Sequence, residues 1–131
     1  MSEIKVDKIS GKTSVNAITV TGENGSTQTS LQQGLAKMWA NCIPNTSLQQ
    51  LSDSFNVTSL ADGGAGISQF SFTNSMNNAV YSGLATIGST NRFPVNDTPT
   101  TEILTIDIYS VSGQTANDTA MLNVSVHGDL A

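Results

Sequence analysis

The chain has 131 residues, enough for one domain with its own core, and carries a formal net charge of −5. Only 11% of its residues are charged, against about 25% in ordinary globular domains; serine, threonine, asparagine and glutamine take their place. So acidic a body would repel a phosphate backbone, which excludes nucleic acid as an expected partner, whereas a surface wetted by neutral groups can pack against copies of itself.

Charge is unevenly placed. Up to residue 40, Lys5, Lys8, Lys12 and Lys37 face three acids and leave a sum of +1; beyond it Arg92 alone faces seven acids and leaves −6. Cys42 stands alone, so no intrachain disulfide is expected, and it reads as a small buried hydrophobe. The N-terminus MSEIKVDKIS lacks an apolar leader, and no segment is long enough to insert in a membrane. Synthesis in a cytoplasm is the expectation.

Residues 1–29 read as an extended arm. Ile4 and Val6 alternate with charged neighbours, and Val15, Ile18 and Val20 belong to a second short β-like run that Gly22 and Asn24-Gly25 break. The arm cannot bury its own apolar face, so it must lie on something else, as a strand added to a partner's sheet would. Ile4, Lys5, Val6, Lys8, Lys12, Val15, Ile18 and Val20 are its candidate attachment residues. Ser30 to Met38 reads as the one short helix: Ser30 and Gln33 match a capping box, and Leu31, Leu35 and Met38 fall at a four-three spacing. Gly34 weakens it by about 1 kcal/mol relative to alanine. Such a stripe is marginal alone and stable around a symmetry axis; packing on its own domain is the alternative.

The remainder, 30–131, reads as a β-sandwich. Trp39 begins a strand that ends at a turn on Pro44, and Asn45–Leu51 reads as a loop or a turn of helix. Phe55–Leu60 and Ile67–Phe72 flank Asp62-Gly63-Gly64-Ala65-Gly66, a strong hairpin signal, with Phe55, Phe70 and Phe72 expected together in the core. The turn is expected to serve geometry rather than ligand binding. Ala79–Ile87 reads as a strand and Gly88–Thr101 as a long loop. Glu102–Val111 points Leu104, Ile106 and Ile108 one way and Thr105, Asp107 and Tyr109 the other; Ala120–His127 points Leu122, Val124 and Val126 inward. Short strands, frequent turns and little helix predict an all-β antiparallel sandwich or jelly-roll-like fold.

The run DSFNVTSLADGGAGISQFSFTNSMNNAVYSGLA, preceded by Ala36-Lys37-Met38-Trp39 and followed by Leu122-Asn123-Val124-Ser125-Val126, resembles a domain found at the ends of tailed-phage fibre proteins. The resemblance spans roughly residues 36–128. It implies a virion structural protein and a homotrimer, with Leu31, Leu35 and Met38 lining the axis. The short arm favours a capsid decoration, cement or head-fibre protein tethered to a capsid or tail protein. A short tail fibre or a host-glycan-binding adhesin is the alternative, and for it Phe93 and Tyr109 are the aromatic residues whose pattern leaves them exposed.

Enzymatic chemistry is not expected, nor any cofactor or metal. Ser10-Gly11-Lys12-Thr13 holds part of a phosphate loop, but Val6 stands where its first glycine belongs. The glycines at 63, 64 and 66 precede no helix, as a dinucleotide site requires. His127 is the only histidine and lies on the outward side of the last strand. A paired-carboxylate glycosidase site is disfavoured by the few acids, most of them in turns.

Overall fold

The structure, a computed structural model, describes residues 4–10, 18–21, 28–45 and 48–130. The chain divides into two compact units, Met1–Leu35 and Ala36–Ala131.

In the first unit β1 (Thr19–Thr21) and β2 (Gln28–Ser30) form an antiparallel ladder, Val20 opposite Thr29. The Leu31 N–H donates to the Ile18 carbonyl at 2.8 Å. A single helical turn, α1 (Leu31–Gly34), follows. The helix expected to reach Met38 therefore stops four residues short. Continuation would require the Lys37 N–H to donate to the Gln33 carbonyl; it donates instead to the Val126 carbonyl, at 2.7 Å. Strand pairing has taken the backbone group that the helix needed.

The second unit is an antiparallel sandwich. One sheet has the order β4 (Leu48–Phe55), β3 (Met38–Asn45), β10 (Leu122–His127), β7 (Ser82–Ile87). The other has the order β5 (Val57–Gly64), β6 (Ile67–Phe72), β9 (Ile103–Ser110), β8 (Arg92–Asp97). The inner strands carry the cleanest alternation. Met38, Ala40 and Cys42 of β3 and Leu122, Val124 and Val126 of β10 face Phe70 and Phe72 of β6 and Leu104, Ile106 and Ile108 of β9. Met76 is buried with them. Tyr81 sets its ring edge-on to Phe72 at 5.9 Å, and its hydroxyl donates to the Thr100 and Ile103 carbonyls. Cys42 is buried, its thiol 3.5 Å from the Leu122 carbonyl, and burial pushes the thiol pKa up to about 12.

Two strands occupy segments expected to be irregular. β4 covers most of Asn45–Leu51 and β8 lies inside Gly88–Thr101; both are edge strands. An edge strand tolerates polar residues and proline because one side of its ladder is unused, which explains Pro94 in β8. β3 likewise runs through Pro44, past Cys42, its last residue paired with β10.

Phe55 is the main correction. It ends β4 opposite Trp39 and is exposed, in a different sheet from Phe70 and Phe72. The chain crosses between sheets at Asn56, whose φ is 60°. Asparagine adopts this left-handed conformation more readily than most residues. The buried Asn56 side chain fastens the corner: Nδ2 donates to the Lys37 and Asn74 carbonyls, both at 3.0 Å, and Oδ1 accepts from the Asn74 N–H at 2.7 Å. After this corner the alternation restarts in the other sheet, and Val57, not Phe55, packs on the core.

The hairpin turn is tighter than expected. β5 extends to Gly64, and Ala65–Gly66 make the reversal. Gly64 has φ 119° and Gly66 has φ 73°, both in the region that favours glycine. Gly66 is also pinned: its N–H donates to Asp118 Oδ1 at 2.7 Å and its carbonyl accepts from the Ile108 N–H at 2.8 Å.

Candidate functional site

On β9 the alternation that buries Leu104, Ile106 and Ile108 turns Asp107 and Tyr109 outward. The β8–β9 register sets Phe93 opposite Tyr109 and Val95 opposite Asp107. Directly opposed side chains share a face, and the Phe93 and Tyr109 rings stand 6.0 Å apart at 35°. With Val95 and Gln114 they line an open depression of about 380 Å³. Gln114 is held at φ 51°, its N–H donating to the Ser110 carbonyl at 3.1 Å. The two aromatic residues singled out for ligand contact are thus brought together, although Phe93 lies on a strand rather than in a loop.

The electrostatics of this depression are one-sided. The Tyr109 hydroxyl donates to Asp107 Oδ2 at 3.0 Å. That hydrogen bond, then the charges of Asp107 and Asp97, hold the phenol above its ordinary pKa. Asp107 Oδ1 is buried without a hydrogen-bond partner. Carboxylates beside apolar ring faces disfavour an anionic ligand and suit a neutral one with hydroxyl donors.

All but one of the attachment residues that the structure describes are exposed. Ile4 is 86% exposed and Val6 57%, and Lys5, Lys8 and Val20 are exposed as well. Ile18 is half-buried, its carbonyl taken by Leu31. Lys12 and Val15 lie outside the described residues, as do Gly11–Thr13 of the partial phosphate loop.

The axial stripe is not assembled on one helix. Leu31 lies in α1 and is half-buried; Leu35, just beyond it, is exposed. Met38 is the first residue of β3 and wholly buried in the sandwich core, so its side chain is not available to line an axis. Its apolar character serves the interior of its own domain. His127 is half-buried at the end of β10, its Nε2 3.4 Å from Ser125 Oγ.

Two structural positions carry more than their sequence surroundings announce. Asn56 sits between two apolar-polar alternating runs, and an asparagine in that place is the one available sign of a corner. Asp118 lies in a polar stretch, and nothing local indicates that it reaches the hairpin turn. Comparison of the chain with protein-family models, with curated proteins and with solved structures returns no match.

Proposed function

We propose that this chain is a bacteriophage virion structural protein: a homotrimeric capsid decoration protein, of the cement or head-fibre kind, anchored by its N-terminal arm. The observation that carries the reading is the arm itself. Ile4 and Val6 alternate with polar neighbours as strand residues do, yet both are exposed. Exposed apolar side chains at strand spacing are the pattern of a segment completed by a partner's sheet edge. The surface poor in charge and the resemblance to fibre-end domains support a self-associating virion component.

Copy number on purified particles tests the location. Hundreds of copies per particle are expected of a capsid decoration, and a few dozen or fewer would assign the chain to the tail. Sedimentation of the isolated protein tests the trimer; a monomer both at micromolar concentration and on the particle would sink it.

A second reading, a short tail fibre or an adhesin for host glycans, is favoured by one specific observation: the paired rings of Phe93 and Tyr109 over an open depression. Binding of neutral oligosaccharides, lost in Phe93→Ala and Tyr109→Ala, would move the assignment there.

A further inference from the structure

The outward side of the β4–β3–β10–β7 sheet carries an apolar row that the sandwich leaves uncovered. The register lines up Phe55, Trp39, Ser125 and Leu84 across all four strands. Phe55 is 52% exposed, Trp39 39% and Leu84 61%. The neighbouring row, Asp53, Asn41, Asn123 and Thr86, is polar, and its inner members are already joined: Asn41 Nδ2 donates to Asn123 Oδ1, and Asn123 Nδ2 donates to Thr86 Oγ1 at 3.4 Å.

We propose that this face is where copies of the chain meet, the apolar row packing on its counterparts. The inference rests on the oligomeric reading above and assigns that assembly's contact surface. Two features commit the face to a second copy rather than to an unlike partner. The first is charge. The two rows hold one ionised group, Asp53, and it lies on the edge strand β4. A residue near a rotation axis meets itself, so a self-contacting face must avoid charge near its middle, whereas a face for a charged partner would present some.

The second feature is hydrogen-bonding chemistry. Asn41, Asn123 and Thr86 each both donate and accept, as does Ser125 in the apolar row, so each row is compatible with an identical row. Large apolar groups in one row and two-way polar groups in the next let each level meet its like. The row spans about 14 Å from the first strand to the fourth. A pair of such faces therefore supplies part of the ~800 Å² per partner that a specific interface buries, and a closed ring in which each copy touches two others supplies the rest.

The chain has a single tryptophan, and it lies in this row, so its fluorescence reads the face directly. The experiment combines sedimentation velocity with acrylamide quenching of Trp39 in the full chain, across a dilution series from 100 µM. The expected result is an oligomer in which Trp39 is shielded, with quenching rising at least threefold as the oligomer dissociates. Leu84→Asp should weaken association at least tenfold with an unchanged circular dichroism spectrum. Phe55→Ser stands in should that variant fail to fold, and Val111→Asp, an exposed position in another part of the sandwich, should leave association intact.

An oligomer whose Trp39 is quenched as readily as in the dissociated chain would overturn the inference and leave the trimer standing. Trp39 shielded equally after sedimentation shows the chain fully dissociated would mean that the chain covers the face itself, which also overturns it. A monomer at 100 µM would remove both this inference and the oligomeric reading.

Discussion

Arm and sandwich are written in the same local pattern and end differently. Ile4 and Val6 alternate with Glu3, Lys5 and Asp7 much as Leu104, Ile106 and Ile108 alternate with Thr105 and Asp107. The first pair is exposed; the second set is sealed between two sheets. Alternation creates a face, and only an opposing layer turns that face into a core. β1 and β2 form a two-stranded ladder, which is marginal by itself in water. Among the described residues, the sandwich has eight strands in two sheets and covers both inner faces.

The comparison is broken most severely by removing interior volume. Phe70→Ala should cost about 3–5 kcal/mol, read by urea or thermal unfolding, because the ring is wholly enclosed between the sheets. Equivalent truncations in the arm, Ile4→Ala or Val6→Ala, should shift stability by less than about 0.5 kcal/mol.

Next in size are the turn glycines, which separate steric from conformational cost. A Cβ at Gly66 would stand 2.6 Å from two backbone atoms, the Asn117 nitrogen and the Ile108 oxygen, at a φ of 73°. Gly66→Val should therefore lower stability by about 4 kcal/mol or prevent folding. Gly64 has φ 119° but nothing within 4 Å, so Gly64→Val should cost only the strain of its backbone, about 1–3 kcal/mol. At Gly63 the obstacle is the Ile67 side chain, 2.5 Å from the added Cβ, and the β5–β6 pair must shift to admit it. Equal melting temperatures for the Gly64 and Gly66 variants would contradict this ordering.

The corner is the third test. Asn56→Ala removes four hydrogen bonds and forces a left-handed conformation on alanine, which should cost about 2–3 kcal/mol by denaturant titration. Asn56→Gly keeps the backbone permission and loses only the side chain, so it should fall between alanine and wild type.

The smallest effect tests how tightly the core is sealed. Cys42 should ionise near its ordinary 9.0 when unfolded and near 12 when folded. A raised folded pKa contributes stability that is whole below the unfolded value and is lost as the pH climbs through the folded one. Cys42→Ala should be about 1 kcal/mol less stable at pH 7. Between pH 9 and 12 that gap should close and then reverse, because only the wild type loses the thiol's contribution. A gap constant with pH would mean that the thiol is not shut away from water.

These contrasts also mark how much could be read in advance. Strands β6, β9 and β10 were legible because they lie in sheet interiors, where one face is buried and alternation is strict. Strands β4 and β8 were not, since an edge strand can be as polar as a loop and Pro94 looks like a loop residue. Phe55 reads as a core residue in the sequence because periodicity counts residues and does not register a change of sheet at Asn56. The helix reads as longer than it is because a capping box and a four-three stripe describe local preference, while the fate of the Lys37 N–H is decided by β10, nearly ninety residues later. Of the candidate residues, Phe93 and Tyr109 were legible as outward aromatics, and their pairing came from the register. The Phe55–Trp39–Leu84 row was not legible, because its members come from three strands distant in sequence or separated by turns.

Under the proposed function the arm attaches and the sandwich does not. Binding of the full chain to particles stripped of it, with Ile4→Ser, Val6→Ser and Val20→Ser in place, tests this most directly. These side chains are all exposed, so the melting temperature should stay within about 1 °C of wild type, as surface substitutions do. Particle occupancy is expected to fall at least tenfold while the protein remains folded and associated. Full occupancy by the triple variant would contradict it and pass the attachment role to the sandwich.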